Sequence, residues 1–287
     1  MPNKQTLKIP LGLEPLRRGG LTAYTAIRKI LHQLDRLAKE GADGPRAFAA
    51  ARALDELERA ASDASLVAFE KELKDWIKTT RERIHSGQEE FKDWFAAELE
   101  RLLADQYGLT LRGRFPLFIA SHYRMKLDLD HDSVAICYGG DEDLLEKTKA
   151  DPRAVASKIN VLQRELEATL LPDDRFLMRF AESYDRAVKQ GDLAPSDQAP
   201  ILDVLREFVW SIQSKKFQAD PRRENFTTYS RVNLSYQLFK LVNRRFGHRT
   251  FELIPATSEQ AARKESHLWV PTNDAGDGTS HAFVAFR

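Results

Sequence analysis

The chain has 287 residues, 42% hydrophobic and 30% charged, a globular composition that suits one large domain or two ordinary ones. A formal net charge of +1 excludes a global field that attracts nucleic acid or an anionic membrane, so such binding needs a local basic patch. The single cysteine, Cys137, excludes an intramolecular disulfide and a zinc cage built from cysteines.

Residues 1–20 are predicted to form an extended arm. Pro2, Pro10 and Pro15 prevent a helix, and Gly19-Gly20 form a hinge. The arm either packs on its own domain or docks on a partner by strand addition. It lacks the apolar core of a signal peptide, and no run in the sequence approaches the roughly 18 apolar residues of a membrane span. We therefore expect a cytoplasmic protein with no membrane partner.

Residues 21–107 are predicted to form an α-helical hairpin or small bundle. An apolar stripe marks a first helix over 21–39, and Asp43 in the following turn is a candidate cap for the next helix. A seven-residue apolar step then resembles a coiled coil, carried by Ile77, Ile84 and Phe91.

Two further features of this helical region lead to expectations. The segment Ser86-Gly87-Gln88-Glu89 matches a capping box, so a break into two helices is expected there. The region also carries large apolar side chains that need to pack on the core, on another copy or on a partner. These are Phe69, Trp76, Phe91, Trp94 and Phe95.

After Gly108 the pattern changes to the alternation of strands. One strand is predicted over Leu109–Ile119, with Pro116 favouring an edge or a bulge, followed by a hairpin over residues 123–138. Helices return at Asp151-Pro152 and are predicted over Phe176–Val188, Pro200–Phe217 and Tyr229–Phe246. The chain closes with the strand candidates Thr250–Ile254, His267–Val270 and His281–Phe286.

The predicted fold class is α+β. A helical hairpin or coiled-coil-like bundle precedes a mixed core of antiparallel strands and four helices, which the C-terminal strands close. The predicted domains are the arm at 1–20, the helical region at 21–107 and the α+β core at 108–287, whose part 201–287 is basic.

Several motifs with chemical potential have simpler structural interpretations. Gly139-Gly140 follow a strand, but the acids after them would repel a phosphate, which indicates a turn. The acids Asp128, Asp130 and Asp132 resemble the start of a calcium loop, without its glycine and its bidentate glutamate. Glu146 and Lys147 belong to the residue types of a metal-dependent nuclease but are predicted in a helix.

The segment HLWVPTNDAGDGTSHAF holds two histidines, His267 and His281, on neighbouring predicted strands. Together with Asp274 or Asp277 they form the best candidate for a metal centre. The Asp-Gly content between them is equally the chemistry of a turn. The two interpretations differ in whether the histidines face each other.

A basic patch is the strongest functional signal. Residues 201–287 carry 13 basic and 9 acidic side chains, so the excess of four exceeds the charge of the whole chain. Polar and aromatic residues interleave with the cations, as in surfaces that contact phosphates and bases. Lys215 and Lys216 contribute to this excess. The predicted nucleic-acid contacts are Arg222, Arg223, Arg231, Lys240, Arg244, Arg245, Arg249, Arg263 and Lys264.

The order of these C-terminal elements resembles a winged helix in outline. Tyr229–Phe246 would be the helix that reads DNA, and the loop Thr257–Ser266 would be the wing. The long connection Gln218–Thr228 and the scarcity of cations early in the reading helix depart from that pattern.

We expect a non-enzymatic intracellular subunit without a cofactor. It would bind protein partners, or a second copy, through the helical region, with duplex DNA as a further candidate partner of the basic helix and loop. The alternative is a metal-dependent hydrolase or nuclease that uses strand-borne acids and the C-terminal histidines. A small-ligand module is a third class.

Overall fold

A computed structural model describes residues 24–40, 46–63, 67–140, 143–194 and 198–287. The predicted arm, the cap at Asp43 and the side chains of Phe69 and Trp76 lie outside the described residues. The fold is α+β, as predicted, with nine α-helices and two antiparallel sheets in the described part. None of the described helices is long and apolar enough to cross a membrane.

The chain divides into two compact units. The first comprises the described residues up to 102 together with 127–134 and 149–155. The second comprises 103–126, 135–148 and 156–287.

The first unit is built from three helices, α1 (Tyr24–Glu40), α2 (Arg46–Asp63) and α3 (Val67–Tyr107), of which all but the last turn of α3 belongs to it. The apolar stripes of the sequence form its core, as periodicity predicts. Buried residues of this core include Ile30, Leu34, Leu37, Leu54, Leu57, Ile77 and Ile84.

The break predicted at Ser86 is wrong, because α3 continues through it for 41 residues. Ile84 and Phe91 on either side are both buried on the seven-residue step, and this packing holds one continuous face. The Ser86 hydroxyl donates to Glu90 Oε1 (3.2 Å), one turn onward. Gly87 within the helix costs only about 1 kcal/mol relative to alanine, which the packing offsets.

A first antiparallel sheet has the order β1-β2-β3-β4-β5. Its strands are β1 (Leu111–Arg114), β2 (Leu117–Ala120), β3 (Tyr123–Asp128), β4 (Ser133–Tyr138) and β5 (Leu144–Lys149). The predicted hairpin over 123–138 is confirmed as β3 and β4. The single strand predicted over Leu109–Ile119 is wrong, because the chain turns at Phe115-Pro116 and pairs β1 with β2. Proline cannot donate to a ladder, so it occupies the turn.

The helix predicted at Glu146 and Lys147 is also wrong, since both residues lie on β5. Backbone pairing overrides the helix propensity of these residues. β4 is largely buried, and its backbone groups need partners on the β5 side. Tyr138 N donates to Asp143 O (2.9 Å) and closes the connection between the two strands.

The second unit also contains a second sheet and most of the helices. The helices are α4 (Pro152–Ala168), α5 (Asp173–Gln190), α6 (Ile201–Ser211), α7 (Lys215–Ala219), α8 (Arg231–Lys240) and α9 (Ser258–Ala261). The strands are β6 (Ala199–Pro200), β7 (Arg245–Phe246), β8 (Arg249–Pro255), β9 (Leu268–Pro271) and β10 (Gly278–Phe286). They follow the order β6-β10-β8-β7, and β9 pairs with β10, so the predicted C-terminal strands are confirmed as β8, β9 and β10.

Two of the predicted helices differ from the observed ones. The helix expected over Pro200–Phe217 is two helices, because Ser214 caps α7 by accepting from Phe217 N. The helix expected over Tyr229–Phe246 is confined to α8 and ends at Lys240, after which the chain is extended. The capping box of Ser230 and Asn233 marks its start.

A tryptophan lies between two glycines near the end of β4 and the start of β10. A Cβ at Gly139 would lie 2.3 Å from the Trp269 ring, and one at Gly278 would lie 2.4 Å from it. Gly139 also has φ +69°, a conformation that L side chains rarely adopt. The ring therefore requires glycine on both sides.

Replacing Gly139 with alanine is expected to cost about 2–4 kcal/mol of unfolding free energy, from the steric overlap and the left-handed backbone together. Gly140 is the matched control, because a Cβ there meets nothing within 4 Å. Gly140→Ala should stay within roughly 0.5 kcal/mol of the parent. Urea unfolding curves of the two variants measure the difference, and equal midpoints would contradict the prediction.

Candidate nucleic-acid interface

The two C-terminal histidines point away from each other. His281 lies opposite Leu268 in the β9–β10 ladder, so His267, one residue earlier on extended backbone, faces the other side of the sheet. His267 is buried, with Nδ1 2.9 Å from Arg263 O. Burial lowers the pKa of His281 to about 4, and the charge of Arg244 adds to this effect. Within the described residues, no group of three His, Cys, Asp or Glu side chains is arranged to hold a metal.

The acids of the β3–β4 turn have local partners. Asp128 caps the turn by accepting from His131 N (3.2 Å), and a bond from the His131 ring lowers the pKa of its carboxyl. Asp130 forms an ion pair with Arg52 at 3.1 Å. Asp128 therefore stabilises the turn, whereas the exposed pair of Asp130 with Arg52 contributes little.

The helix expected to read DNA is a core helix. Six of the ten residues of α8 are buried: Val232, Leu234, Ser235, Tyr236, Gln237 and Leu238. The expected wing is not a hairpin either, because β8 and β9 lie on opposite sides of β10 rather than pairing with each other. A winged-helix arrangement is therefore wrong for this part of the chain.

Two of the predicted cations form an internal cluster around Asp143. Arg231 donates to the backbone carbonyls of Lys264 (2.5 Å) and His267 (2.8 Å). The Asp143 carboxylate lies 3.7 Å from Arg231 and 3.1 Å from Lys264, and the side chains of Asp143 and Arg231 are mostly shielded from water. Removing Arg231 would leave a buried carboxylate with poorer compensation. Arg231 therefore has a structural role, and its role in binding stays a prediction from the sequence.

Five other predicted cations are also engaged within the fold. The Arg249 guanidinium donates two hydrogen bonds of 2.8 and 3.0 Å to the Asp185 carboxylate, and these bonds raise the pKa of Arg249. Arg263 forms an ion pair with Glu259 at 2.8 Å. Lys240 lies 3.9 Å from Asp274 and over the ring of Phe239. The remaining two lie near the β7–β8 hairpin, where Arg244 stacks over Phe251 and Arg245 donates to Gly247 O. These five cations therefore already have contacts within the fold, which a phosphate ligand would have to replace.

The two remaining cations of the prediction, Arg222 and Arg223, lie in a different environment. They follow α7, whose first residues Lys215 and Lys216 are exposed as well. Arg222 pairs with Asp220, whereas Lys215, Lys216 and Arg223 make no ion pair with any residue that the structure describes. Glu224 is the second acid of this segment, so residues 214–226 carry four cations and two acids.

Aromatic rings accompany these cations. Trp210 at the end of α6 is 58% exposed and lies 5.9 Å, centroid to centroid, from Phe217 of α7. Phe217 is buried and lies 5.3 Å from Phe226, which is 37% exposed. We call this surface the α6–α7 corner. It comprises Trp210, Lys215, Lys216, Phe217, Arg222, Arg223 and Phe226.

The corner is held by buried and local hydrogen bonds. The buried Gln213 side chain donates to Val209 O (2.7 Å) and Thr227 O (3.0 Å) and accepts from Thr227 N (2.8 Å). Asn225 donates to Asp220 O (2.9 Å). These bonds fix the segment after α7 against the end of α6, so the exposed rings are ordered before any ligand arrives.

Sequence reasoning included the cations of this corner but missed its rings. Trp210 lies off the apolar stripe of α6, about 200° around the helix from the buried Phe208, so helical periodicity already places it on the outer face. A second signal is the sequence SKKF, in which a serine cap and two lysines interrupt the helical stripe shortly after α6 ends.

A partly buried polar network lies elsewhere in the second unit. Tyr123 OH donates to Gln163 Oε1 (2.9 Å), and the same amide donates to Tyr236 OH (2.7 Å) and Glu167 (2.7 Å). His122 lies beside this network, 2% exposed, with its ring 4.9 Å from that of Phe239. Burial lowers the pKa of His122 to about 4 and raises that of Tyr123. The imidazole is therefore neutral at pH 7 and packs among aromatic rings.

Comparison of the chain with models of protein families, with curated proteins and with solved structures finds no match.

Proposed function

We propose that this chain is a non-enzymatic cytoplasmic binding protein whose second unit binds nucleic acid through the α6–α7 corner. One observation carries the proposal: an exposed tryptophan packs on Phe217 of α7, and α7 and the segment after it carry exposed cations that have no ion pair among the described residues. Cations supply the electrostatic part of nucleic-acid binding, and aromatic rings and arginine supply contacts to bases. The corner combines both on one ordered surface.

The corner is favoured over the other predicted cations because its charge is available. Arg231, Arg249 and Arg263 would have to break existing bonds before meeting a phosphate. Lys215, Lys216 and Arg223 are exposed and would exchange only water and counterions. We therefore relocate the proposed contact from α8 and its following loop to α6, α7 and the segment after them.

Charge reversal tests the proposal. Lys215→Glu combined with Lys216→Glu is expected to weaken binding of a fluorescent oligonucleotide by about tenfold or more at low salt, because two phosphate contacts become repulsions. Fluorescence anisotropy over a series of salt concentrations measures affinity. The log–log slope against salt should become shallower by roughly two in the variant.

Lys126→Glu combined with Lys147→Glu is the matched control. Both lysines are exposed on the first sheet of the same unit and have no ion pair in the described residues. The control makes the same change in net charge and should bind nearly as the parent does. Equal losses in both double variants would show a nonspecific charge effect and contradict the assignment to the corner.

A second candidate function concerns the helical unit. We propose that it binds a protein partner or a second copy, because Trp94 on α3 is 52% exposed beside the buried Phe91 ring at 5.5 Å. Exposed tryptophans are enriched in protein interfaces. Sedimentation velocity should show a concentration-dependent dimer that Trp94→Glu abolishes. A monomer at all concentrations would contradict self-association and leave binding to a different protein as the remaining form of this proposal.

A further inference from the structure

Two exposed rings at the α6–α7 corner are supported by one buried ring. Phe217 is buried and contacts both Trp210 and Phe226, at centroid distances of 5.9 and 5.3 Å. Trp210 and Phe226 are therefore at most about 11 Å apart, roughly three times the 3.4 Å rise of stacked bases. The corner presents two separate ring surfaces along one short path.

We infer that the α6–α7 corner binds single-stranded nucleic acid, with bases stacked on Trp210 and Phe226 and phosphates held by the surrounding cations. This inference rests on the proposed function and names its ligand class. Stacking on aromatic side chains tolerates any base, so the expected binding is largely independent of sequence.

Exposure of the rings distinguishes a single strand from a duplex as the ligand. In a duplex each base face is covered by its neighbours, so an aromatic ring gains a stacking contact only after a base is unstacked. In a single strand the faces are accessible. Trp210 leaves more than half of its surface in water, an apolar area that a base would cover.

The charges and the rigidity of the corner agree with this ligand. Lys215 and Lys216 begin α7 directly after the Ser214 cap, and Arg222 and Arg223 lie just before Phe226. Each ring therefore has two cations close to it in sequence. The Gln213 bonds to Thr227 fix the segment that carries Phe226, so little ordering entropy opposes binding.

Alanine substitution of the rings tests the inference. The unlabelled protein is titrated against a fluorescent single-stranded oligonucleotide and against a duplex of the same sequence. We expect the single strand to bind at least tenfold more tightly, and Trp210→Ala to remove about tenfold of its affinity while leaving duplex binding unchanged. Trp210→Phe, which retains a ring, should recover most of the loss.

Trp94→Ala is the matched control, since Trp94 is a similarly exposed tryptophan of the other unit. Thermal melting of each variant verifies that it is folded. Stacking should also quench the emission of Trp210, and this quenching should disappear in Trp210→Phe and persist in Trp94→Phe.

The outcomes separate this inference from the proposed function. One outcome is equal affinity for the single strand and the duplex, unchanged by Trp210→Ala but weakened by the charge reversals at Lys215 and Lys216. This outcome overturns the inference and leaves the proposed function standing. Absence of binding to either form overturns both. Parallel titrations with oligodeoxythymidine and oligouridine identify the source: similar affinities support recognition of bases and phosphates alone, and a preference beyond tenfold assigns the preferred strand as the natural ligand.

Discussion

Replacing Phe180 with alanine is expected to reduce the free energy of unfolding by about 3–5 kcal/mol. Phe180 is fully buried on α5, and its ring stacks on Phe176 at 5.1 Å and meets Phe251 at 5.4 Å. The rings of Phe208 and Phe286 lie 6.3 and 6.1 Å away. Removing this ring leaves a cavity that α5, α6 and the second sheet all border, so no single neighbour closes it.

Met178 provides the control on the same helix. Its side chain is 40% exposed, and Met178→Ala should change stability by less than about 1 kcal/mol. Guanidinium unfolding followed by circular dichroism measures both variants. Similar midpoints for the two would mean that the phenylalanine cluster is not the core of this unit.

The periodicity of apolar side chains predicted the helices correctly where the apolar stripe in the sequence is also the face that is buried in the fold. Ile77, Ile84 and Phe91 repeat at seven residues and are all buried, and α5 buries the stripe that begins at Phe176. The predictions failed where pairing with a neighbouring strand overrides local preference. Glu146 and Lys147 favour helix but pair as β5, since β4 offers its edge.

The sequence predicted which cations belong to the candidate site, but it could not predict which of them are free of ion pairs in the folded protein. Arg249 and Asp185 are 64 residues apart in sequence, yet they form a bidentate pair. Arg231 similarly bonds to the carbonyl of His267, 36 residues away. A count of cations cannot show which of them form ion pairs or hydrogen bonds within the fold. The structure was therefore needed to identify Lys215, Lys216 and Arg223 as cations without an ion pair among the described residues.

Acidification from pH 6.5 to pH 4 is expected to destabilise the second unit through His122 by about 3 kcal/mol, at 1.36 kcal/mol for each unit of pKa difference. Burial lowers the pKa of His122 in the folded state from 6.5 to about 4, with Lys240 lowering and Asp274 raising it. Below pH 6.5 the unfolded chain therefore binds a proton that the folded chain excludes. Stability is present above the unfolded pKa and falls as the pH approaches the folded value.

The variant His122→Phe isolates this contribution, because an apolar ring fits among Tyr138, Tyr236 and Phe239 and cannot take up a proton. The unfolding free energy of the variant should fall less steeply between pH 6.5 and 4 than that of the parent, by about the same 3 kcal/mol in total. His248→Gln, at an exposed position of the β7–β8 hairpin, should retain the parental slope. Urea titrations at half-unit pH steps give these slopes. Parallel slopes for parent and His122→Phe would mean that His122 is protonated to the same extent in both states, and the buried neutral imidazole would then be refuted.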